Sequence, residues 1–135
     1  MTPAGRSLTL NTFAHFCVDF GCFVMLFGGF ASSVSDPQLL AVGFVSYNVT
    51  AFGLQPAIGY LIDTHPRMPV SIAGCLMVMA GLLLLPWSWL SLLVCALGNA
   101  CFHVGGGIDC LLNAGGRMSR SGIFVSTGAM GVGLG

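Results

Sequence analysis

Lysine and glutamate are absent from the 135 residues, and charged side chains of all kinds make up only 6%. A soluble domain carries about 25%, so this chain has too little polar surface to hold a globule in water. Hydrophobic residues reach 56% and mean hydropathy is +0.93. Those values exclude disorder as well, which needs low hydrophobicity and high charge. Arginine and aspartate cancel at four each, so the positive surface of a nucleic-acid-binding protein is missing. What remains is an all-α protein, a polytopic bundle of membrane helices with the lipid bilayer as its main partner. A helix crosses with about 20 apolar residues, which leaves room for four or five crossings.

Other absences narrow the chemistry. None of the six cysteines forms a Cys-x-x-Cys pair, and all lie inside apolar runs. They read as small packing residues and not as a zinc, redox or disulfide framework. There is no His-Glu-x-x-His pair for zinc hydrolysis and no lysine after any glycine run to hold a nucleotide phosphate. Cys110 adjoins Asp109, but neighbours on a helix point apart and make no nucleophile–base set. No enzyme, cofactor or metal is expected from these patterns.

The apolar runs are five. The first covers residues 8–31 and holds eleven Leu, Phe and Val side chains around Asp19. Each contributes roughly −0.3 to −0.6 kcal/mol to insertion against about +3 for the acid, so the segment still inserts. A signal peptide is the competing reading, but its apolar core is shorter and follows a positive stretch. The second run covers 38–62, after Asp36-Pro37; the third 70–85; the fourth 90–113, after Trp87 and Trp89. Tryptophan suits the membrane interface. A fifth starts near residue 122 and is still apolar at residue 135, so the expectation is an incomplete span in the N-terminal part of a longer bundle. Arg6, Arg67, Arg117 and Arg120 fall before the first span, between the second and third, and between the fourth and fifth. With alternating crossings all four share one side, and the positive-inside rule makes that side, with the N-terminus, cytoplasmic.

Polar residues inside these runs are the candidate site. Asp19 lies mid-span with His15 one turn before it on the same face. A carboxylate facing lipid costs several kcal/mol, so the pair should face the bundle interior, as a proton-binding group or as a structural contact. Asn48, Phe52, Gln55 and Gly59 form one stripe of the second span, with Tyr47 beside it and Pro56 expected to kink the helix. Asn48 and Gln55 either line a substrate path or join helices. Asn99 and His103 share a face of the fourth span, before Gly105-Gly106-Gly107, and Asp109 is expected to face the loop arginines. Gly131 and Gly135 make a small-xxx-small pair for close helix approach.

The loop after the second run reads Gly59-Tyr60-Leu61-Ile62-Asp63-Thr64-His65-Pro66-Arg67. It resembles the G-x-L-x-D-x-x-G-R motif of major facilitator superfamily transporters, with Pro66 in place of the motif's second glycine. His15-Phe16-Cys17-Val18-Asp19-Phe20 and Phe102-His103-Val104-Gly105-Gly106-Gly107 look like the first- and fourth-helix segments of the fosmidomycin-resistance-type group, where His103 would be followed by proline. So do Gly115-Gly116-Arg117 and Ser121-Gly122-Ile123-Phe124. The resemblance implies an inner-membrane secondary transporter, often a proton-coupled exporter, of about twelve helices in two halves. The second half would lie beyond this chain or be supplied by another copy. It makes Gly59, Asp63 and Arg67 a cytoplasmic gate, and His15, Asp19 and His103 central-cavity groups near the midplane. The alternative is a small assembly or accessory membrane protein acting through its glycine faces.

Overall fold

A computed structural model describes residues 2–65 and 68–135. Every element among them is helical. Helix α1 (Pro3–Phe23) starts where the Thr2 hydroxyl accepts the Gly5 N–H at 3.2 Å, with proline in the first turn, where its missing N–H costs nothing. The rod continues through a π-helical stretch, Val24–Phe30, into a short α2 (Ala31–Ser33). Asp36 then caps α3 (Pro37–Gly53), its carboxylate accepting the Gln38 and Leu39 N–H groups at 2.7 and 3.1 Å. The remaining helices are α4 (Gln55–Thr64), α5 (Val70–Leu83), α6 (Ser88–Asn113) and α7 (Met118–Leu134).

The expected helical class is present, and the expectation of four complete spans is met in part. Two rods, Pro3–Ser33 and Ser88–Asn113, are long and apolar enough to cross a bilayer. The 38–62 run is divided at Leu54. Pro56 has no N–H for the Phe52 carbonyl four residues before it, and the Gln55 side chain donates instead to the Ala51 carbonyl at 3.0 Å. The 70–85 run yields a helix of 14 residues, about 21 Å at 1.5 Å per residue. It is cut short by the turn at Leu84–Pro86.

Helix α6 occupies the centre, against α5, α1 and α3. Its seam with α5 is made of glycine. Gly74 on α5 opposes Gly98 and Phe102 on α6, Gly81 on α5 opposes Ser91 and Cys95, and Gly105 on α6 opposes Ser71. A Cβ on Gly74 would stand 2.5 Å from the Phe102 nitrogen and 2.7 Å from the Gly98 carbonyl oxygen. Backbone therefore lies on backbone, an approach that larger residues forbid. Positions 71, 74 and 81 of α5 thus meet positions 105, 98–102 and 91–95 of α6 in descending order, so the two helices are antiparallel. Helix α7 lies parallel to α1, with Gly131 on the Phe16 carbonyl and Gly135 on that of Phe20, as the small-xxx-small spacing leads one to expect.

The contacts of α3 and α1 with α6 complete an alternating order: α1, α5 and α7 run one way, α3 and α6 the other. Arg6, Arg117 and Arg120 consequently lie at one end of the bundle, and Asp36, Trp87 and Trp89 at the other. Arg67 lies outside the described residues. The buried centre holds Met25, Phe30, Leu92 and Phe102, whereas Phe13, Val45, Val49, Met79, Leu83 and Leu111 point outward and are more than half exposed. So much outward apolar surface matches a lipid surround better than water.

Because the α5–α6 seam is backbone against backbone, Gly74→Ala should destabilise the fold by about 1–3 kcal/mol, the usual cost of overpacking. Gly107, whose Cβ would meet nothing within 4 Å, is the control. Thermal unfolding in detergent should show a lowered midpoint for Gly74→Ala and an unchanged or raised one for Gly107→Ala.

Candidate functional site

Three ionisable side chains meet between α1 and α6. His15 and Asp19 come from successive turns of α1, and His103 crosses from α6. Asp19 takes one imidazole on each carboxylate oxygen: His103 Nε2 lies 3.0 Å from Oδ1 and His15 Nε2 3.3 Å from Oδ2. The side chains of His15 and Asp19 are 5% and 8% exposed and that of His103 25%, so the cluster is closed on the α1 side and reachable at His103. The predicted His15–Asp19 pair is there, and His103 joins it from a helix more than 80 residues away in sequence.

The surroundings determine how protons are placed. His15 Nδ1 is 2.7 Å from the Phe124 carbonyl oxygen of α7. A carbonyl only accepts, so Nδ1 must carry the hydrogen, and in a neutral ring Nε2 then presents a lone pair. Nε2 is buried and has no hydrogen-bond partner; its nearest polar neighbour is the Asp19 carboxylate. Two lone-pair atoms facing each other in an apolar interior repel unless something positive stands between them. The ring is held in place by stacking on Phe124 at 4.3 Å between centroids, and His103 stands edge-on to it at 4.7 Å.

Glycine makes the room. A Cβ on Gly128 of α7 would collide with His15 Nε2 and stand 2.6 Å from Asp19 Oδ2. Thr127 fixes α7 in register by donating to the Thr12 carbonyl at 3.0 Å. Gly128 and Phe124 are the members that sequence reasoning missed. Gly128 could have been found, because it extends the Gly131 and Gly135 stripe by one turn; Phe124 acts through its backbone carbonyl, which leaves no mark on sequence.

The other candidates stand apart from the cluster. Asn99 is buried and donates from Nδ2 to the Tyr47 hydroxyl at 2.9 Å, joining α6 to α3. Asn48 is exposed and donates to the Phe44 carbonyl of its own helix at 2.8 Å. Gln55 does the same toward Ala51 across the helix break. Of the gate residues, Gly59 has nothing within 4 Å of a Cβ, so no described neighbour approaches it closely. Asp63 is exposed at the end of α4, and Arg67 falls outside the described residues. Among the described residues Asp109 forms no ion pair with Arg117 or Arg120. Its Oδ2 accepts from the Ser71 hydroxyl at 3.4 Å, while Arg120 donates to the Asn113 and Ala114 carbonyls that end α6. All six cysteines are free.

No protein-family model, curated protein or solved structure matches the chain.

The steric role of Gly128 can be separated from that of its helix. Gly128→Ala should push His15 away from Asp19 and destabilise the protein by about 1–3 kcal/mol. Gly133→Ala, with open space around its Cβ, should leave stability unchanged. Imidazole nitrogen NMR should show the His15 and His103 signals moved only in Gly128→Ala.

Proposed function

We propose that the chain forms part of a secondary transporter of the major facilitator type, and that proton movement at Asp19 drives its cycle. The observation that carries this reading is the buried Asp19 carboxylate held between His15 and His103 among apolar helices. Such a group is costly in lipid and is retained where ions or protons move. His103 is the most exposed of the three side chains, which on this reading links occupancy of the carboxylate to one side of the bundle. The cargo on this reading is a small molecule, admitted on that same side.

Further support comes from the alternating helix directions. They gather Arg6, Arg117 and Arg120 at one end, which the positive-inside rule makes cytoplasmic in a multi-pass inner-membrane protein. The resemblance of the 59–67 loop to the family's gate motif assigns Asp63 and Arg67 to that end. The alternative, an accessory protein that associates through glycine faces, has less to draw on. Gly74, Gly98, Gly105, Gly128 and Gly131 are already covered within the chain.

Reconstitution into liposomes containing a pH-sensitive dye tests the reading. Wild-type protein should move protons when small lipophilic cations and anions are added from a panel, and Asp19→Asn should abolish that movement while remaining folded. Equal proton flux in Asp19→Asn, or none in the wild type with any compound, would overturn it. In the resembling family the loop acts in switching and not in binding, so Asp63→Asn should slow exchange while leaving substrate affinity within about twofold.

A further inference from the structure

We propose that His15, Asp19 and His103 form a binding site for a divalent transition-metal cation of the zinc class. The donor atoms, one from each residue, all lie within 4.8 Å of one another. Four ligands set tetrahedrally at about 2.0–2.1 Å from zinc stand about 3.3–3.4 Å apart. His15 Nε2 lies 3.3 Å from Asp19 Oδ2 and His103 Nε2 3.0 Å from Oδ1, each near that edge length but on different oxygens, so the carboxylate would face the ion with both. Closing the remaining imidazole–imidazole edge falls to His103, the more exposed of the two rings.

A second observation is independent of those distances. His15 Nε2 is a buried nitrogen without a hydrogen-bond partner, and its lone pair is turned toward Asp19 by the bond from Nδ1 to the Phe124 carbonyl. A metal-binding histidine characteristically gives its other N–H to a backbone carbonyl or carboxylate, which fixes the tautomer and strengthens the ligand. The site therefore includes the outer support of a metal ligand along with the ligand itself. Gly128 keeps α7 from intruding on the donors, since any side chain there would run into both His15 Nε2 and Asp19 Oδ2.

The donor set selects the ion. Two imidazoles and one carboxylate suit zinc, cobalt or nickel, whereas magnesium and calcium take oxygen ligands. Three protein ligands leave a fourth position open, unlike the closed four-ligand sites that serve structure. The cluster is accessible at His103, a quarter exposed, which is where an ion would exchange. Because the site stands on side-chain geometry, it does not depend on the transporter reading.

The test uses the purified full chain in detergent, stripped with a chelator and titrated with Zn2+ against a chromophoric competitor, then with Co2+ as a spectroscopic probe. Wild-type protein should bind one Zn2+ per chain and give visible Co2+ absorption. Asp19→Asn, nearly isosteric, and His103→Gln should each weaken binding at least about tenfold. His65→Gln, on the exposed loop, should leave it unchanged. His103→Cys should keep Zn2+ and add a thiolate-to-Co2+ charge-transfer band, which only direct ligation produces. No stoichiometric Zn2+ binding by folded wild-type protein overturns the proposal. So does binding that survives Asp19→Asn and His103→Gln but is lost when the cysteines are alkylated. Zinc binding without proton flux keeps this site and removes the transporter reading; flux without zinc binding does the reverse.

Discussion

A carboxylate in the middle of an apolar helix has to be met from other helices, and most of this bundle follows from how Asp19 is met. Left facing lipid it would cost several kcal/mol. Helix α1 therefore turns that face inward, His15 occupies the preceding turn, and α6 delivers His103 to the other carboxylate oxygen. Helix α7 contributes no ionisable side chain to the cluster. It brings a carbonyl for His15 and a glycine where a side chain would intrude. The polar centre thus ties together three helices, the first and last of which lie parallel and share no short connection.

Lipid tails are as apolar as leucine, so burial of apolar surface gives helices in a membrane little reason to associate. Close packing has to supply what burial does not, and glycine supplies the closeness. The α5–α6 seam repeats its small residues every seven positions on both helices, and α1–α7 repeats the device at Gly128, Gly131 and Gly135. Where α6 reaches α5 through glycine, its opposite face stays free to carry Asn99 and His103 toward α3 and α1. The seam without polar groups and the face with them are two sides of one helix.

Much of this was legible in the residues, and the parts that were not share a cause. Helical class, helix order and the shared face of His15 and Asp19 follow from local pattern, because composition and the 3.6-residue period are local quantities. The proline-directed break in the second run was legible for the same reason. The arrival of His103 at Asp19 was not, since nothing in the sequence of α6 says which neighbour that face meets. The roles of Asn48 and Gln55 were left open because an amide on a helix stripe has several outlets, its own backbone four residues back among them, and periodicity does not distinguish them. Here both take the backbone. Asp109 accepts from Ser71 of α5, a partner that its own helix gives no way of naming.

The break at Leu54 lies next to the open side of the cluster. Phe52, the second-last residue of α3, stands edge-on to the His103 ring at 6.3 Å, and the helix restarts two residues beyond Gly53. Helix α3 meets the rest of the bundle mainly through side chains, Tyr47 on Asn99 and Gly43 under the Phe30 ring. The α5–α6 and α1–α7 pairs are instead locked backbone to backbone. Side-chain contacts can be exchanged by rotamer changes, whereas a glycine seam has no alternative register within a fraction of a turn. Rearrangement around Asp19 is therefore cheapest at α3 and its broken continuation. The two glycine-locked pairs would hold His15, Asp19 and His103 in place while it occurs.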